Sequence, residues 1–334
     1  MPATTITPSR SSQTVLVLGA RGRFGRAAVA AFSQAGWQVR AFVRSGRQPE
    51  RAFRGETING DAFDPGDVVA AANGANVIVH ALNPPYPRWR RDLPRLTKSV
   101  LATAHASGAT VMIPGNVYNY GAGMPETLLE ETPHRPTTRK GALRESMEAT
   151  FRDAANDGVK TIVLRGGDFI EAKKTGNWFD TYIAGKLDSG IVMYPGPLDK
   201  VHAWAYLPDM AQAMVGLAER DRHEAGFECF NFEGHNISGR ELIDALERWA
   251  GAPLKKRNIP WVAMQAIAPF APLIREVIEM RYLWTTPHAL DGTRLREALP
   301  EFRPTALPDA LAQILPVLSP QSARHTPIET ISAA

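Results

Sequence analysis

Three glycines, Gly19, Gly22 and Gly25, stand between a short apolar run and a helical pattern in VLVLGARGRFGRAAVAAF. Residues 15–18 read as a buried strand and residues 24–35 as an amphipathic helix. Glycine lets the chain turn sharply between them, with backbone close to backbone. The first turn of such a helix has amide groups without helical partners, and these suit a pyrophosphate. A tight strand-to-helix turn with no ligand is the alternative.

Further apolar runs at 39–43, 77–79, 111–113 and 162–164 alternate with helical patterns at 68–72, 95–106 and 139–155. Short apolar strands alternating with helices predict an α/β fold, a doubly wound parallel sheet covered on both faces. Beyond Arg165 the pattern loosens. Residues 166–200 are rich in Gly, Trp, Tyr and Pro. A strand at 201–206, a helix opened by Pro208 and Asp209, a strand at 228–232 and a helix opened at Ser238 follow. Residues 258–318 read as helices broken by prolines. The expected organisation is a nucleotide-binding domain over 13–168, with returning elements at about 200–232, and a smaller C-terminal substrate lobe from 169–199 and 233–318. Residues 1–12 and 319–334 read as loose tails.

Composition excludes several classes. The chain has 334 residues, and 38 Lys+Arg against 34 Asp+Glu leave a net charge of +4. With no long basic run interleaved with aromatics, nucleic acid is not an expected partner. The one cysteine, Cys229, excludes an intrachain disulfide or a cysteine zinc site and fits a reducing, cytoplasmic location. The eight histidines show no metal-ligand spacing, so no metal is expected. The apolar stretch 261–274, WVAMQAIAPFAPLI, is too short for a membrane span and is interrupted by Pro269 and Pro272. A buried helix pair is expected there; an interfacial helix is the minor reading.

The second strand ends in AFVRSGR, where an NAD site usually carries a carboxylate. Arg44 stands there, followed by Ser45, and Arg21 lies in the glycine loop. Guanidinium groups suit a 2′-phosphate, so NADP(H) is preferred and NAD(H) stays open. Arg23 and Phe24 at the helix start, Asp61 and Ala62 after the third strand, Ala81, Leu82 and Asn83 after the fourth, and Gly167 after the sixth complete the expected cofactor lining. His80 is expected to be structural.

These segments together resemble the short-chain dehydrogenase/reductase superfamily, in particular its extended, epimerase/dehydratase-like branch. The resemblance rests on GARGRFG, GDAFD, IPGNVYNYG, LRGGDF and AYLPDMAQAM and spans roughly residues 14–318. It implies a doubly wound NAD(P)-binding sheet and a C-terminal substrate lobe. No Tyr-x-x-x-Lys pair occurs in the segment that matches the family's catalytic helix, TTRKGALRESMEATF. Placing Glu148 on the family's glutamate puts Lys140 at the tyrosine position and Arg144 at the lysine position. Placing Tyr120 and Gly121 on the family's YG puts Asn116 where the family has a serine. The segment KGALRESME is also similar to isoflavone-reductase and NmrA-like members, whose reductases are thought to use that lysine as acid/base.

Lys140, Arg144 and Glu148 form one stripe on a helix, and Leu143, Met147 and Phe151 an adjacent apolar one. Lys140 is the expected proton carrier and also a cofactor contact, with Arg144 as the cationic neighbour that lowers its pKa. A surface helix with an Arg144–Glu148 pair is the alternative. Asn116 and Tyr118 complete the expected catalytic set; Asn116 also reads as a turn residue. Tyr86, Trp89, Tyr118, Asp168, Trp178 and Trp204 are the expected substrate lining, with Arg88, Arg90 and Arg91 drawing in an anion. Arg165 and Arg281 are the arginines left for a diphosphate. The expected activity is NADP(H)-dependent hydride transfer on a small, partly apolar carbonyl or alcohol. A nucleotide-sugar epimerase or dehydratase and a non-catalytic NADP-binding regulator are the alternatives. A homodimer is a further expectation.

Overall fold

The computed structural model describes residues 13–44, 55–220 and 226–319. The expected tails at 1–12 and 320–334, and Ser45, lie outside them. The nucleotide-binding half runs β1 (Thr14–Leu18), α1 (Arg23–Gln34), β2 (Gln38–Arg44), β3 (Glu56–Gly60), α2 (Pro65–Ala71), β4 (Val77–His80), α3 (Trp89–Ser107), β5 (Thr110–Gly115), β6 (Thr127–Leu128), α4 (Arg139–Asp153) and β7 (Thr161–Arg165). The second half runs β8 (Asp168–Ile170), β9 (Ile191–Tyr194), β10 (Val201–Tyr206), α5 (Leu207–Glu219), β11 (Phe227–Asn231), β12 (His235–Ser238) and α6 (Gly239–Ala250). It ends with β13 (Lys255–Asn258), α7 (Trp261–Ile267), α8 (Pro272–Glu279), β14 (Ala289–Leu290), α9 (Thr293–Ala298) and α10 (Leu307–Leu318).

Among the described residues the main sheet has seven strands in the order β11-β7-β5-β4-β1-β2-β3. Every neighbouring pair in it is parallel. Every residue of β1, β4 and β7 is buried, which explains why these strands read as continuous apolar runs rather than alternating ones. Phe24, Ala28, Val29 and Phe32 of α1 pack on one face with Met210 and Met214 of α5. Val68 of α2, Val100 of α3 and Met147 and Phe151 of α4 pack on the other.

The strand order reverses between β1 and β4. In an open parallel sheet, ligands bind outside the carboxyl ends of the strands at such a point. The loops after β1, β4 and β5 all open on that edge.

Three expected placements change. β10 does not return to the main sheet; it pairs with β8 and β12 in a three-stranded sheet of the lobe, while α5 and β11 do return. The stretch 261–274 forms a helix pair, but neither α7 nor α8 contains a buried residue. Ser319, placed in the loose tail by its sequence, is buried and its hydroxyl donates to Asp188 at 2.7 Å. Among the described residues no helix is long and apolar enough to cross a membrane.

Candidate active site

Gly19 follows β1 with φ +78°, and a Cβ there would stand 2.6 Å from the Ala81 carbonyl oxygen. The turns after β1 and β4 therefore touch at the switch point. A Cβ on Gly25 would lie 2.2 Å from the Gly19 carbonyl oxygen, so the third glycine lets α1 rest on the turn that opens it. Gly22 is the N-cap of α1, with no capping side chain and no acidic residue in the first turn. Helix geometry leaves the N–H groups of that turn without helical partners. An anionic pyrophosphate fits this cradle; a carboxylate-capped turn would repel it.

The remaining expected cofactor residues divide. Arg44 ends β2 and is exposed, Arg21 is half-buried in the glycine loop, and Ala81, Leu82 and Asn83 continue from β4. Asp61 accepts from the Phe63 N–H at 3.0 Å and its own N–H donates to Asp67, so it shapes its turn, with Ala62 inside it. Arg23 is taken up elsewhere. Its guanidinium donates to the Thr175 hydroxyl at 2.8 Å and the Thr175 carbonyl at 2.9 Å, and lies 3.8 Å from Glu171. Its Nε and one terminal nitrogen are thus committed to Thr175. Gly167 answers to packing, since a Cβ there would stand 2.0 Å from the Ala203 carbonyl oxygen.

α4 presents both expected stripes to the interior. Lys140, Arg144, Met147, Glu148 and Phe151 are all buried, so the surface-helix alternative fails. Glu148 pairs with Arg165 of β7 at 2.6 Å, and each side chain is 1% exposed. Burial raises the Glu148 carboxyl, but the Arg165 charge and hydrogen bonds outweigh it and hold it below the usual range. Arg165 is thus spent on Glu148 and is closed to a substrate diphosphate. Arg144 is buried with its guanidinium 4.9 Å above the Trp89 ring, and burial lowers its pKa. The ammonium of Lys140 does not face Arg144. It meets the Glu279 carboxylate at 2.6 Å and the Glu276 carboxylate, both from α8. Arg139 reaches the same two carboxylates, so two successive α4 residues clamp α8 over the end of the sheet.

Asn116 takes the turn role: its side chain accepts from the Tyr118 N–H at 2.9 Å. The Tyr118 and Tyr86 hydroxyls lie 3.2 Å apart, and the Lys140 ammonium sits 5.1 Å above the Tyr86 ring. Burial pushes the Tyr118 phenol well above its usual value and raises that of Tyr86 as well. Tyr120 is fully buried beneath the Arg165 guanidinium, at 5.2 Å.

On the substrate side, two tryptophans leave the expected set. Trp89 is 2% exposed and its indole N–H donates to the Pro84 carbonyl, so it is a floor for Arg144. Trp204 is 0% exposed within the lobe core, between Phe179 and His202. Trp178 stays half-buried against Tyr182 and Trp284. Arg88 and Arg91 both pair with the buried Asp92, so the basic loop is partly neutralised. The Asp168 carboxylate accepts from the His202 ring at 2.9 Å, and that imidazole stacks on Trp284 at 4.2 Å. His202 was expected along the lobe lining and lies there, against Asp168 and Trp284; Glu276, Glu279 and Trp284 carry no local signal in the sequence.

Burial lowers His80 to about 3, with Arg144 adding to the shift, and also lowers His288 to about 3, with His202 adding. Both rings are neutral in the folded protein, while the unfolded chain protonates them below about 6.5. The unfolded state then binds more protons, so stability should fall as pH drops from about 6.5 towards about 3. Urea midpoints at about pH 7.5 and about pH 5 should differ, and less so in His288→Gln. An unchanged difference would show that His288 is protonated when folded.

Residues 19–180 match the family described as NAD(P)H-binding. This stretch is similar to NAD(P)H-binding domains. No curated protein sequence matches the chain significantly. Solved structures carry the fold further. A candidate epimerase from Burkholderia cenocepacia superposes with a TM-score of 0.73 at 19% identity, over 93% of this chain and 99% of the other. A nucleoside-diphosphate-sugar epimerase from Pseudomonas aeruginosa gives 0.72 at 18%, over 91% and 96%. UDP-glucose 4-epimerase from Bifidobacterium longum, solved with NAD+ and UDP, gives 0.71 at 18%, over 93% and 98%. The likeness of fold to these structures therefore runs beyond residues 19–180, through the lobe.

Proposed function

We propose that the protein is an NADP(H)-dependent oxidoreductase acting on a small, partly apolar carbonyl or alcohol. The observation that carries this reading is the hydrogen-bonded phenol pair Tyr86–Tyr118, on the same sheet edge as the glycine cradle. When bound, the cofactor supplies hydride from its nicotinamide. This chain supplies the proton and the orientation.

A phenol pair has two O–H groups and one mutual hydrogen bond. With Tyr86 donating to Tyr118, the Tyr118 O–H is left to donate to the substrate oxygen. Raised pKa values keep both phenols protonated at neutral pH, which suits a proton donor to a nascent alkoxide. Arg144 is a fixed positive charge beside both phenols. Lys140 acts as a positioning residue: through Glu276 and Glu279 it holds α8 against the cleft. Asp168 and the half-buried Trp178 remain the substrate-facing groups of the lobe. With Arg165 committed to Glu148, a sugar diphosphate has one fewer anchor, which favours the smaller substrate.

NADP(H) preference rests on Arg44 and Arg21 at the ribose end, with no carboxylate at the end of β2. A binding titration should give NADPH at least about tenfold tighter than NADH, roughly 1.4 kcal/mol. Arg44→Asp should erase the difference. Equal or tighter NADH binding by the unaltered protein would overturn the preference.

A further inference from the structure

Four of the six large hydrophobic side chains exposed among the described residues lie on the α7–α8 hairpin. Phe270 at its tip is 87% exposed, Val262 81%, Leu273 60% and Ile267 50%. Gln265 and Arg275 are the only polar residues among the exposed ones between 261 and 275. A soluble surface scatters such residues singly; four together on one short hairpin mark a contact surface. The opposite side of the hairpin is anchored. Glu276 and Glu279 clamp onto Arg139 and Lys140, and the Trp261 indole donates to the Pro195 carbonyl at 2.8 Å. The outward apolar face is thus held out on a fixed base.

Charge selects the partner. From 248 to 275 there is no Asp or Glu, while Arg248, Lys255, Lys256, Arg257 and Arg275 fall in that stretch. β13, which leads into α7, is exposed at every residue of its KKRN sequence. An exposed apolar tip with a basic flank matches the boundary of an anionic bilayer, where apolar side chains enter the acyl edge and cations meet headgroup phosphates. A second copy fits less well. A two-fold contact through this hairpin would bring like-charged flanks together in a chain already carrying +4.

We infer that the α7–α8 hairpin docks the protein on an anionic lipid surface, with Phe270, Val262, Leu273 and Ile267 entering the interface. The inference is independent of the oxidoreductase reading.

The test is co-sedimentation of the full chain with vesicles of phosphatidylcholine alone or mixed with phosphatidylglycerol, alongside light-scattering mass measurement. The protein should sediment with the anionic vesicles and stay in solution with neutral ones. The double variant Val262→Glu, Phe270→Glu should lower the bound fraction at least about tenfold while NADPH titration is unchanged, which shows that it folds. Lys255→Glu with Arg257→Glu should weaken binding and its salt dependence. Failure of the unaltered protein to bind anionic vesicles would overturn the inference, as would undiminished binding by the double variant. A dimer that the double variant converts to monomer, without vesicle binding, would assign the face to a second copy instead.

Discussion

Replacing Tyr118 by phenylalanine is expected to lower kcat by about 10²–10⁴-fold, the usual worth of a positioned proton donor. Phenylalanine keeps the ring that fills the buried site and removes only the oxygen paired with Tyr86 at 3.2 Å. NADPH affinity should stay nearly unchanged. Tyr86→Phe should cost less, because it removes the second donor and leaves the first. Lys140→Met is expected to behave differently. It frees Glu276 and Glu279 and loosens α8, so KM should rise more than kcat falls. Steady-state kinetics of the three variants decide the matter. A collapse of kcat in Lys140→Met with mild loss in Tyr118→Phe would return the proton transfer to the lysine.

The largest stability effect should follow from Arg165→Met. It leaves the Glu148 carboxylate, 1% exposed, without its partner at 2.6 Å. Breaking a buried ion pair from one side costs about 3–5 kcal/mol, because the remaining charge is uncompensated. Adding Glu148→Gln should restore part of that loss, since a neutral amide needs no counter-charge. Urea denaturation of the single and double variants measures both. A loss below about 1 kcal/mol in the single variant would mean that water reaches Glu148 and the pair does not hold α4 to β7.

What the sequence disclosed follows from the range of each interaction. The glycine turn is local: Gly19, Gly22 and Gly25 meet within one strand-to-helix connection, so type and spacing suffice. The buried strands were legible as apolar runs, because helices cover both faces of a parallel sheet. The partners of Lys140 were not legible. Glu279 lies 139 residues away, and nothing near Lys140 distinguishes a carboxylate clamp from the expected Arg144 neighbour. Trp89 and Trp204 look like substrate contacts in the sequence because tryptophan serves cores and binding sites alike; burial alone separates them. The stretch 261–274 was read as buried because its apolar content is that of a core helix. The fold seats Trp261 against the lobe core around Trp204, Trp284 and Leu311 and leaves Val262, Ile267, Phe270 and Leu273 exposed.

On the proposed reading, the bound nicotinamide cofactor reduces a carbonyl on this chain. The measurement that tests it most directly is NADPH oxidation, followed by nicotinamide absorbance, with the protein mixed against a panel of small aldehydes and ketones. Saturable oxidation by at least one apolar carbonyl, lost in Tyr118→Phe although NADPH still binds, is the expected result. Tight NADPH binding with no oxidation across the panel would contradict the claim and leave a nucleotide-binding protein without turnover.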